Sequence, residues 1–174
     1  QKIANSLRED GYLFNLYGLP SLNQNMISNM KTWELLQKGS KLPLQMIKDL
    51  YAALPKMGSN AKIKRGITKQ LDFLEHDLIL GYDDLVSNYG MIAPKDTSSR
   101  DMLSVSKDDR FYMDALTRRG EDFESPRIDI STIHAMKGGE DDNIMLMSES
   151  SRACVRNQNQ DDEHRVFYTG VTRT

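Results

Sequence analysis

The 174-residue chain is 39% hydrophobic and 28% charged, which suits one sizeable core and one compact domain carrying an insertion. Its net charge of −2 excludes a protein that coats nucleic acid by bulk positive charge, so any nucleic-acid contact has to be local. A single cysteine, Cys154, excludes an internal disulfide and a cysteine zinc cluster, and no apolar run reaches the ~20 residues that span a bilayer, so the expectation is a cytoplasmic protein without a membrane partner.

Gln1 to Asp10 read as a helix, with Ile3, Ala4 and Leu7 at helical spacing and Gly11 as its stop; Tyr12, Phe14, Leu16 and Tyr17 then suit a strand. Beyond Gly18 and Pro20 the pattern turns helical. Met26, Ile27, Met30, Trp33 and Leu36 mark one amphipathic helix, and Leu44, Ile47, Leu50, Tyr51 and Leu54 a second, separated by Gly39 and Pro43. Shorter helical patterns cover Ile63 to Phe73, Asp83 to Tyr89 and Asp108 to Arg118. Strand character returns at Ile128 to Ile133, which alternates, and at Asn143 to Met147, short and continuously apolar like a buried parallel strand. A last helix follows, with Asp161 or Asp162 as its N-cap and Glu163 in its first turn.

The order is α/β over residues 1–20, a mostly helical insertion over 21–120, and α/β again over 121–174. The chain opens without methionine inside one helical pattern and closes inside another, which reads as a fragment of a longer polypeptide.

Chemistry concentrates in Ser131-Thr-Ile-His-Ala-Met-Lys-Gly-Gly-Glu140. Thr132, His134 and Lys137 stand at a strand end, the edge where open α/β sheets bind ligands, and suit phosphates. Gly138 and Gly139 free the backbone for close approach, and Glu140 suits a hydroxyl such as that of a ribose. A second group, Glu163, Arg165, Tyr168, Thr172 and Arg173, shares the last helix. Arg173, at the end of that helix, offers a fixed guanidinium that can reach a transferring phosphoryl group across a cleft.

These residues resemble the UvrD/Rep/PcrA-like superfamily 1 DNA helicases, especially the small phage-type members. Thr-Ile-His-x-x-Lys-Gly-x-Glu looks like their motif V, Glu163-x-Arg165-x-x-Tyr168-x-x-x-Thr172-Arg173 like motif VI, and residues 1–18 like the stretch after motif IV. Residues 21–120 resemble the family only in position, where larger members insert a subdomain. The resemblance implies a RecA-like (P-loop NTPase type) second motor domain with a parallel sheet, interrupted by a helical insertion. It implies ATP-driven translocation on single-stranded DNA with the family's 3′ to 5′ polarity. Arg173 would contact the γ-phosphate, Glu140 the ribose, and Lys137 and Gly138 the nucleotide edge, while Thr132 and His134 would face the DNA backbone. A missing N-terminal motor domain would supply the phosphate loop, the Mg2+ ligand and the catalytic acid. Gly139, Gly170 and Thr174 depart from the family's usual residues.

No Gly-Lys dipeptide occurs in the chain, so the phosphate-binding loop is missing and the fragment alone is expected to be inactive on ATP. The alternative is a non-catalytic DNA- or protein-binding module derived from such a motor, of the helicase-nuclease subunit type. Other features have plainer readings. Lys56, Lys62, Lys64, Arg65 and Lys69 could grip a DNA backbone, but such a run more often forms a solvated face. Asp72 and His76 share a helix face but two ligands make no metal site, Trp33 suits a helical core, and Phe167 and Tyr168 suit packing.

Overall fold

The computed structural model describes residues 2–133, 135, 143–146, 165, 168 and 171. Helix α1 (Lys2–Glu9) ends where Gly11 takes φ +74°, and strand β1 (Phe14–Leu16) follows directly. Only glycine fits here: a Cβ at position 11 would stand 2.5 Å from the carbonyl oxygen of Ala115. Residues 17 and 18 then reverse the chain into β2 (Leu19–Pro20), which pairs antiparallel with β1. Both turn residues have positive φ, 52° at Tyr17 and 78° at Gly18, as a tight two-residue hairpin requires.

Helix α2 (Gln24–Gln37) starts at Asn23, whose side chain accepts from the Met26 amide at 3.1 Å. Gly39, at φ +86°, ends the region and β3 (Leu42–Pro43) leads into α3 (Leu44–Ala53). Then come α4 (Ile67–Leu71), β4 (Ile79–Leu80), α5 (Tyr82–Asn88), α6 (Ser99–Met102), α7 (Lys107–Arg119) and β5 (Ile128–Ile130). Strand β5 lies parallel to β1, giving a three-stranded sheet in the order β2-β1-β5, while β3 and β4 form a separate antiparallel pair. Among the described residues the fold is thus mixed α and β with a small mixed sheet, parallel between β1 and β5 and antiparallel between β1 and β2.

Two cores hold these elements. Trp33, Leu36, Ile47, Leu50, Tyr51, Leu71 and Leu85 are fully buried in the first, each contributing roughly 1.5–3 kcal/mol by removal from water. The Trp33 indole donates to the Thr97 carbonyl at 2.7 Å, so its one polar atom is satisfied. Leu13, Leu22, Ile27, Val105, Tyr112, Met113 and Leu116 make the second. Helix α7, which the sequence groups with the insertion, therefore packs in the same core as residues 13 and 22 and against α1.

Several expectations are corrected. The strand expected over 128–133 stops at Ile130, because Thr132 turns the chain with its own side chain. The helix expected from Ile63 begins only at Ile67; Ile63 instead bridges to Met91 in extended backbone. Asn143 to Leu146, expected within a buried strand, carry no strand, and Met145 is 89% exposed. Only Ile144 among those four is β-branched, so local preference for extended pairing is weak. No helix among the described residues is long and apolar enough to cross a membrane.

Candidate functional site

The parallel pair β1 and β5 ends on one edge, with Leu16 opposite Ile130. The pairing runs one bond further, since the Tyr17 amide donates to the Ile130 carbonyl at 2.9 Å. Asn15 Nδ2 also donates to Asp129 Oδ1 at 2.8 Å, so side chains as well as backbone fix the register. The hairpin tip and the start of the Ser131 to Glu140 constellation are therefore held side by side.

Thr132, immediately past this edge, is exposed. Its carbonyl and its Oγ1 both accept from the Ala135 amide, at 3.1 and 3.2 Å, a local turn typical of hydroxyl side chains that compete with the strand ladder. Ser131 and Ile133 flank Thr132 half-buried, so the turn is anchored on both sides.

Of the residues singled out in the sequence, His134, Lys137, Gly138, Glu140 and Arg173 lie outside the described residues, as does Glu163. Arg165, Tyr168 and Val171 are helical and exposed, Tyr168 to 71%. Asp72, expected on one helix face with His76, lies just past the end of α4 and faces the Lys48 ammonium at 3.8 Å.

Tyr17, expected within the strand, instead opens the turn at this edge. It is 64% exposed, its neighbour Leu19 is 72% exposed, and it holds a left-handed conformation that side chains other than glycine and asparagine rarely adopt.

The hairpin is braced from beneath. Arg8 donates to the Ser21 carbonyl at 3.1 Å, pairs with Asp109 and lies 4.4 Å over the Tyr112 ring. Burial holds the Tyr112 hydroxyl above its ordinary range, while the Ser21 bond and Arg8 act in the opposite direction. No protein-family model, curated protein or solved structure matches the chain.

Proposed function

We propose that the chain is the C-terminal part of an ATP-dependent DNA helicase or translocase, built on a RecA-like second motor domain with a helical insertion. The observation that carries this reading is Thr132. It opens the Thr-Ile-His-x-x-Lys-Gly-x-Glu constellation at the C-terminal edge of a parallel strand pair, the edge where open α/β sheets hold ligands.

In this reading Lys137, Gly138 and Glu140 hold one edge of ATP, and Thr132 with His134 holds the backbone of single-stranded DNA. ATP, with Mg2+, supplies the phosphoanhydride whose hydrolysis drives movement. Arg173 contributes a charge that stays protonated at any working pH and a forked donor suited to a phosphoryl group. The phosphate loop belongs to a separate motor domain, since the chain has no Gly-Lys dipeptide to build one.

The test is the single-stranded-DNA-stimulated ATPase of the full-length protein, with and without Arg173→Ala. Positioning and electrostatics carry most of phosphoryl transfer, so the substitution is expected to lower turnover by about 10³-fold or more and leave DNA binding in place. DNA binding by the full-length protein with no ATP turnover would sink the motor reading.

A further inference from the structure

Residues 50–71 contain five basic side chains, Lys56, Lys62, Lys64, Arg65 and Lys69, and no aspartate or glutamate, on a chain of net charge −2. Six ion pairs form among the described residues, and none of them includes any of these five. Like charges gathered without paired counter-charges repel one another; Asp101 stands near enough to act on Lys62, and among the described residues no ion pair reaches Lys64, Arg65 or Lys69.

The segment is also pinned. The Lys62 amide donates to the Pro55 carbonyl at 2.8 Å and closes the loop between them. The Lys62 carbonyl accepts from the amides of Ile92 and Ala93 at 2.9 and 3.2 Å, and the Lys64 amide donates to Gly90 at 2.8 Å. Ile63 is buried between them in its bridge to Met91. Alternation along extended backbone then turns Lys62 and Lys64 away from the core, about 6.6 Å apart along the chain. That separation is on the scale of successive phosphates in an extended nucleic-acid strand.

Beside Lys62 opens a cleft of about 320 Å³ lined by Asn60, Lys62, Asp101, Ser104 and Arg110. Its cationic side is already compensated: Arg110 binds Asp101 at 2.7 Å and the carbonyls of Val105 and Arg100. The uncompensated charge lies further along, where Lys64, Arg65 and Lys69 are all exposed.

We infer that Lys64, Arg65 and Lys69, on the pinned segment between Pro55 and α4, form a second contact for the phosphate backbone of nucleic acid, separate from the edge at Thr132. The choice of nucleic acid over an acidic protein surface rests on the DNA-tracking function proposed above and on three exposed cations between positions 64 and 69 of a chain of net charge −2. The contact is electrostatic and reads no sequence.

The test is a fluorescence-anisotropy titration of a labelled mixed-sequence 20-nucleotide single strand with the full chain, repeated across salt concentrations. The variant replaces Lys64, Arg65 and Lys69 together by glutamine. Each lost phosphate contact lowers the slope of log K against log salt by about 0.7 on a single strand, so the triple variant should lose about 2 from the slope and roughly tenfold or more in affinity near 0.1 M salt. All three side chains are exposed, so an unchanged melting curve is expected alongside.

Unchanged affinity and slope overturn the inference, and if Thr132→Ala weakens binding in the same assay the proposed function survives that failure. A triple variant that loses slope while Thr132→Ala changes nothing keeps the second contact and removes the first. Displacement of the oligonucleotide by polyglutamate of equal charge, at equal concentration, overturns the assignment to nucleic acid in favour of an acidic protein partner. No binding of the oligonucleotide by the unmodified chain overturns it outright.

Discussion

The hydroxyl oxygens of Ser21 and Tyr112 stand 2.7 Å apart, and their neighbours fix which one donates. The Tyr12 carbonyl can only accept, so Tyr112 donates to it at 2.6 Å, and Ser21 must then donate to Tyr112. Ser21 Oγ in turn accepts from the Phe14 amide at 3.1 Å. A one-way chain of hydrogen bonds thus runs from β1 through the end of the hairpin to α7 and back to Tyr12, two residues before β1.

Tyr112→Phe should cost about 1–3 kcal/mol of unfolding free energy, because it leaves the Tyr12 carbonyl and the Ser21 hydroxyl short of a partner in part-buried surroundings. Urea titration measures it. Adding Ser21→Ala to the same chain should cost less than the two single changes combined, since they share one network. Full additivity would separate the two hydroxyls.

Alkali should weaken the fold through its buried tyrosines. Burial raises the hydroxyls of Tyr51, Tyr112 and Tyr82 above the ordinary value of 10.0, with Asp83 and Asp96 adding to the effect at Tyr82. The folded state therefore keeps protons that the unfolded chain releases. Stability is unaffected by these groups below about pH 10 and falls as pH rises beyond it. Tyr51, fully buried and donating to the Tyr89 carbonyl at 3.0 Å, carries the largest share. Chemical denaturation at a series of pH values should show a shallower alkaline slope for Tyr51→Phe, and an identical slope would assign the effect elsewhere.

Gly11→Ala should destabilise by more than about 2 kcal/mol, combining left-handed strain with a backbone clash. The Ala115 carbonyl lies 2.5 Å from the added Cβ and belongs to α7, so neither side can yield without parting α1 from α7. Thermal melting reads the loss. A matched Gly39→Ala control, where φ is +86° but nothing lies within 4 Å, should show the strain alone and a smaller shift.

Tyr17→Asn should stabilise the protein, by roughly 0.5–1 kcal/mol, because asparagine tolerates the left-handed turn position better than an aromatic residue. The Tyr17 ring is 64% exposed, so little packing is lost. A lower urea midpoint in the variant would mean that the ring contributes to folding after all.

The helices were the most legible part of the sequence. Ile47, Leu50 and Tyr51 recur with the helical period and are all fully buried, and Trp33 sits where a helical core places it. What escaped were structures too short to have a period. Strands β3 and β4 are two residues each, and α6 is four residues started by the Ser98 side chain rather than by an apolar stripe. Strand β2 was hidden because Leu19-Pro20 looks like a break, though its backbone pairs with β1. At the candidate site the strand edge and its parallel partner could be anticipated, whereas Tyr17 could not, because its significance comes from a backbone angle and a bond to Ile130 that no spacing reveals.

Helix α2 belongs to both cores. Its early residue Ile27 packs with Leu13 and Tyr112, and its later residues Trp33 and Leu36 pack with Ile47 and Leu50. A helix of 14 residues is a rod about 21 Å long, stiff over that distance. Neither core can melt without loosening the rod that serves the other, so the indole of Trp33 reports on the unfolding of both.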